Sequence, residues 1–112
     1  MSADDVEDRL QRLSGLLDET LALLNQHGES HWAAWLATCE RGLASYDAHG
    51  LDRLLGAFGG MGSFNDLLVM EMNGHRIQQV QEAAVNSRLT ELRNEIWLEA
   101  TALRHDIRQA SE

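Results

Sequence analysis

The chain has no lysine and no proline, and its 112 residues include a single cysteine. Without lysine, a phosphate-binding P-loop lacks the side chain that reaches the phosphates. Without proline, nothing forces a helix to kink, so long uninterrupted helices are expected. With Cys39 alone no intramolecular disulfide can form, and an oxidising compartment is not implied. Long apolar runs are missing too: none approaches the roughly 18 residues needed to span a bilayer. The first eight residues are acidic where a signal peptide would be basic. A cytoplasmic protein is the expectation.

Positive charge is also scarce. Nine basic residues, all arginine, stand against eighteen Asp and Glu, for a net charge of -9. Such a surface repels phosphate backbones and anionic headgroups, which disfavours nucleic acid and membrane as partners. It favours a basic protein partner, although solubility alone is the plainer account of the same charge. The length fits one helical domain over residues 1–112 with a single core. A composition of 44% hydrophobic and 24% charged residues is that of a globular protein.

Hydrophobic spacing predicts three main helices and a short one. Val6, Leu10, Leu13, Leu17, Leu21 and Leu24 recur at helical intervals between about Asp4 and His27, with acidic residues in the first turns and Gly28 as a C-terminal cap. A second helix is predicted from Ser30, as its cap, to about Ala48, closed by Gly50 and burying Trp32, Trp35, Leu36, Cys39, Leu43 and Tyr46. Leu51, Leu54, Leu55 and Phe58 mark the short helix. The longest runs from about Gln78 to Gln109, its buried line being Val85, Leu89, Leu92, Ile96, Leu103 and Ile107. It either projects as an arm or spans the other helices, and spanning suits a small domain better.

Between the halves lies Gly-Ala-Phe-Gly-Gly-Met-Gly-Ser-Phe-Asn-Asp, residues 56–66, which holds four of the nine glycines and both phenylalanines. The dinucleotide fingerprint Gly-x-Gly-x-x-Gly fails here because Asn65 stands where the third glycine belongs. A structural loop of Gly59, Gly60, Met61, Gly62 and Ser63 is expected instead, turning Phe58, Met61 and Phe64 inward. Ser63 and Asp66 read as a loose capping box. Residues 63–77 read as irregular, with either a short helix or, over 67–79, a small β-hairpin turning at Asn73-Gly74. The expected class is therefore all-α, a small bundle around an irregular centre.

No catalytic constellation stands out, and no cofactor is implied. His27 and His31 have metal-binding spacing, but Gly28 interrupts the helix between them. Cys39 lies in an apolar stripe, where a thiol behaves as a small hydrophobe. Ser63 lacks the nucleophile-elbow pattern. The long helix carries Glu91, Glu95 and Glu99 at four-residue intervals, a spacing at which like charges cost a few tenths of a kcal/mol per pair. Its other flank carries Arg93, Arg104 and Arg108 around Trp97, either a solvated charged face or, with Trp97 exposed, an interface anchor.

The run Leu54 to Leu67, with His27-Gly28-Glu29 and Trp32 before it and Asn73-Gly74-His75 after it, resembles a family of short bacterial proteins catalogued only as a domain of unknown function. Val85-Asn86, Arg88-Leu89 and Leu92-Arg93 fit the same resemblance, which covers about residues 27–93. It implies no activity, cofactor or catalytic residue, and it makes the glycine-rich loop a defining feature. The functional expectation is a small acidic immunity or antitoxin-type protein, not an enzyme, that neutralises a basic toxin domain through Glu91, Glu95 and Glu99, then Asn65 and Asp66. The alternatives are a ligand-binding protein or enzyme that uses the glycine-rich loop as a small-molecule or anion site lined by Ser63, Asn65, Asp66 and His75, and a structural homodimer on the long helix.

Overall fold

The computed structural model describes residues 3–44, 48–58 and 63–110; Gly59, Gly60, Met61 and Gly62 of the glycine-rich loop, and Tyr46, lie outside the described residues. Four helices follow one another: α1 (Ala3–Gln26), α2 (Ser30–Ala44), α3 (Ala48–Gly56) and α4 (Gln79–Ala110). Two single 3-10 turns, Phe64–Asp66 and Glu71–Asn73, lie between α3 and α4. The fold is all-α, with no strand among the described residues.

α1 stops at Gly28, which takes φ +76°. Gly28 N–H donates to Asn25 O at 3.2 Å and Glu29 N–H to Leu24 O at 2.9 Å. Those two bonds satisfy the last carbonyls of the helix in the Schellman arrangement. The next helix starts at once, because the Glu29 carboxylate accepts Trp32 N–H at 2.9 Å. Glu29, not Ser30, therefore caps α2: it stands one position outside the helix with a side chain long enough to fold back. The turn through residues 27–29 folds α2 against α1.

α2 and α3 meet at glycine. Gly50 does not close α2; it is buried within α3, where a Cβ would stand 3.4 Å from the Gly42 backbone. The glycine pair lets the two helix backbones approach closely. α1 packs on α2 and α4, and α3 on α2 and α4. Their shared core is Leu13, Leu17, Leu24, Leu36, Leu54 and Phe64 with Leu89, Ile96 and Leu103 of α4. Each such side chain contributes about 1.5–3 kcal/mol on burial. α4 has 32 residues, about 48 Å at the usual rise, and the longest dimension of the molecule is 49 Å. It spans the other helices.

The glycine-rich loop is closed at its base by Phe64 N–H donating to Ala57 O at 2.9 Å. Phe64 is fully buried, with its ring centroid 5.3 Å from Trp32 and 5.8 Å from Phe58. Ser63 precedes the first 3-10 turn but makes no side-chain capping bond. A three-residue turn closes through the backbone alone, here Asp66 N–H to Ser63 O at 3.0 Å, so the capping box does not form.

Nor does the hairpin at 67–79. Asn73 belongs to a 3-10 turn and only Gly74 takes positive φ, +86°, whereas a type I′ turn needs positive φ at both central residues. Asn73 and His75 N–H both reach Met70 O, at 3.0 and 3.2 Å. Beyond the Met70–His75 pair the arms bond to α4 and to the turn between α1 and α2.

Candidate functional site

A stretch without long elements cannot satisfy its own backbone, so the segment from Ser63 to Gln78 needs side-chain partners. α4 supplies three. Asn86 Oδ1 accepts Val69 N–H at 2.8 Å, and its Nδ2 donates to Val69 O at 2.9 Å and to Glu82 O at 2.8 Å. The amide thus meets Val69 as a neighbouring strand would. Glu82 accepts Glu71 N–H at 3.0 Å. Arg93 Nη1 donates to Phe64 O at 3.0 Å and Leu67 O at 2.9 Å, and Nη2 donates to Thr90 Oγ1 at 3.2 Å.

The turn between α1 and α2 supplies the rest. Arg76 N–H donates to His27 O at 2.8 Å, and His27 Nδ1–H returns the bond to Arg76 O at 2.8 Å. Met70 N–H donates to His75 Nδ1 at 3.1 Å. That bond assigns the ring proton to Nε2, which donates to Glu29 Oε1 at 3.0 Å. Burial alone would raise the Glu29 carboxyl. The bond from Trp32 N–H and the nearby His75 outweigh it, and the group sits below its ordinary value of 4.5.

Surface clefts lie on and near this framework. One, of about 310 Å³, is lined by Ser63, Asp66 and His75 together with Glu29 and Trp32. Three of the four residues expected at a small-molecule site therefore share a cleft. Its chemistry is limited: both nitrogens of His75 are engaged, so the ring has no lone pair left to activate Ser63. Asn65 lines a different cleft of about 400 Å³, with Arg93, Asn94, Trp97, Phe58 and Leu98. Another, about 440 Å³ between α1 and α4, is lined by Arg12, Gly15, Glu19, Glu95, Leu98 and Glu99.

The structure divides the acidic stripe of α4. Glu91 pairs with Arg88 at 2.9 Å, and Arg88 also holds Glu19 at 2.6 Å. Glu99 is held by Arg9 at 3.3 Å and Arg12 at 3.5 Å. Glu95 is exposed and makes no ion pair among the described residues. On the other flank, Arg93 is not part of a solvated face but is 6% exposed beneath the segment it holds. Trp97 and Leu98 are exposed. Gly59, Gly60, Met61 and Gly62 fall outside the described residues.

Metal and thiol chemistry have little footing here. His27 is buried and bonded to Arg76 O, while His31 is exposed beside Trp32. No group of three or more His, Cys, Asp or Glu that could hold a metal occurs among the described residues. Burial pushes the Cys39 thiol up to about 11, against the weaker opposing pull of Arg53. No helix among the described residues is long and apolar enough to cross a membrane.

The paired residues of the α1–α2 turn and the 70–76 turn fall inside a single matched stretch. A domain of unknown function, DUF6966, is found over residues 25–78. No curated protein and no solved structure matches the chain. The matched region contains both members of the His27–Arg76 and Glu29–His75 pairs and ends one residue before α4. Asn86 and Arg93, which hold the same segment from the other side, lie beyond it. Sequence reasoning missed the roles of these two. Their signal was a polar residue on the apolar face: Asn86 and Arg93 are seven apart, in register with Leu89 and Ile96.

Proposed function

We propose that the protein is a small acidic binding module of immunity or antitoxin type, which docks a basic protein partner on the outer face of α4. The observation that carries this reading is the pair Trp97 and Leu98, 46% and 61% exposed, with Leu98 lining two clefts at once. Large exposed apolar side chains beside a charged rim have the composition of a protein interface rather than of an ordinary surface. Glu95 and Glu19 form the rim on the α1 side. Gly15 keeps that side low, since nothing lies within 4 Å of where its Cβ would be.

The net charge of -9 draws in a basic partner and repels a second copy of the chain. Charge therefore favours this reading over a homodimer. Within the acidic stripe, Glu95 makes the first electrostatic contact. Glu91 can exchange its exposed arginine pair, worth about 0–1 kcal/mol, for a side chain of the partner, and Glu99, partly buried against Arg9, adds to the acidic field.

Tagged protein recovered from its native host should retain a basic protein that arrests growth when produced alone and is harmless when the two are co-produced. Leu98→Arg and Glu95→Arg alter exposed positions, so both variants should fold as the parent does and release that protein. Retention of no basic protein, or equal retention by both variants, overturns the reading.

A further inference from the structure

The cleft lined by Asn65, Arg93, Asn94 and Trp97 borders a buried cation whose hydrogen bonds go to uncharged groups. Arg93 is 6% exposed, yet its three hydrogen bonds go to the uncharged oxygens of Phe64, Leu67 and Thr90. Burial holds its pKa below the ordinary arginine value, against the opposing pull of the Asp66 carboxylate. A guanidinium carries five N–H donors. Here Nε–H has no partner among the described residues, and Nη2 gives only one of its two.

The edge formed by Nε and Nη2 is the one that receives a carboxylate side-on. Leaving that edge unbonded is costly, so an incoming anion adds to the pull of Asp66 the bonds that the edge lacks. The cleft, about 400 Å³, adds the exposed amides of Asn65 and Asn94 and the apolar walls of Phe58, Trp97 and Leu98.

We propose that this cleft binds a carboxylate carried on an aromatic or branched apolar group, with Arg93 as its counter-charge and Asn65 and Asn94 as amide donors. A free aryl acid and the C-terminal residue of a peptide share this chemistry. Nε is shielded from solvent, so entry requires a wall side chain to change rotamer, which exposed residues such as Trp97 and Asn65 do readily. The site needs no protein partner, and it stands on Arg93 rather than on Glu95.

The test is a nuclear magnetic resonance titration of the ¹⁵N-labelled full chain with phenylacetate, N-acetylphenylalanine and N-acetylphenylalaninamide. At least one of the two acids should shift the Arg93 Nε–H and Trp97 indole resonances saturably, with the amide weaker by about tenfold or more. A response to phenylacetate alone assigns a free acid, and one to N-acetylphenylalanine alone assigns a peptide C-terminus. Asn94→Asp places a repelling charge at an exposed position, so it should keep the melting temperature and lose at least about tenfold in acid affinity. No saturable shift at millimolar acid, equal binding of the amide, or unchanged affinity in Asn94→Asp overturns the proposal. Loss of the protein partner by Leu98→Arg has no bearing on any of these outcomes.

Discussion

The two ends of the segment from Ser63 to Gln78 are held by opposite means. At the His75 end donors and acceptors match one for one: Met70 N–H to His75, His75 to Glu29, and Arg76 to His27 in both directions. At the Phe64 end one buried guanidinium serves two carbonyls and a hydroxyl, with donors to spare. A fully matched network fixes a conformation and leaves nothing for a ligand to bind. A surplus holds the chain equally in place and leaves chemistry facing a cleft. The difference separates the part of the domain built for shape from the part available for recognition.

The largest effect should come from the residue that both ends depend on. Phe64→Ala empties a fully buried position against Trp32 and Phe58 and should cost about 3–5 kcal/mol in urea denaturation. Asn86→Ala, which strands Val69 N–H and C=O midway between the ends, should cost about 2–3 kcal/mol. Arg93→Met sharpens the contrast. It abandons two carbonyls but also removes a buried charge with an unbonded donor edge, so its cost should stay near 1 kcal/mol, below that of Asn86→Ala. If Arg93→Met proves the costlier of the two, the surplus-donor account of the Phe64 end fails.

Two carboxyls, Glu29 at the matched end and Glu40 of α2, give the molecule its pH signature. Glu29 lies below its ordinary 4.5, so its contribution is present above that pH and lost as pH falls through the lower folded value. Glu40 goes the other way: burial, then a hydrogen bond to Asp18, raises it from 4.5 to about 7. The folded state holds that proton more tightly, so this stabilisation is full below about pH 4.5 and lost as pH rises through about 7. Stability should therefore peak on the acid side of neutrality. Glu40→Gln should remove the decline between pH 5 and 8 in thermal melts, an effect of roughly 1 kcal/mol after solvent screening. Glu29→Gln should flatten only the acid limb. The smallest change is a gain: Gly15→Ala in α1, where a methyl group meets nothing, should add about 0.5–1 kcal/mol.

The helices were legible because their signals are local. Leucine spacing gave α1 and α4 to within about two residues, and Gly28 announced the end of α1. Errors arose where two elements meet. Gly50 reads as a stop signal until Gly42 is seen against it, and Asn73-Gly74 reads as a hairpin turn until its arms find partners on α4 and on the turn between α1 and α2. For the candidate site, Trp97 and Glu95 could be named from the helical wheel, but not that Leu98 joins two clefts. The equal four-residue spacing of Glu91, Glu95 and Glu99 hid their inequality, because the arginines that set them apart include Arg9 and Arg12 of α1, far away in sequence. Arg93 was misplaced on a solvated face for the same reason: its partners are carbonyls of a segment with no periodicity.

Because α4 runs the length of the molecule at its C-terminal end, the order of synthesis matters. Residues 25–78 leave the ribosome with the Glu29–His75 and His27–Arg76 pairs available, but with Phe64, Leu67 and Val69 still lacking the side chains that serve them. Those arrive with α4, as do Glu99 and Asp106 for Arg9, and closing a loop of this length is an entropic step that local helix formation cannot replace. At about 5–20 residues per second, α4 trails the matched region by a few seconds. During that interval the buried aromatic ring and the unpaired backbone of the central segment are open to any chaperone or partner waiting at the exit.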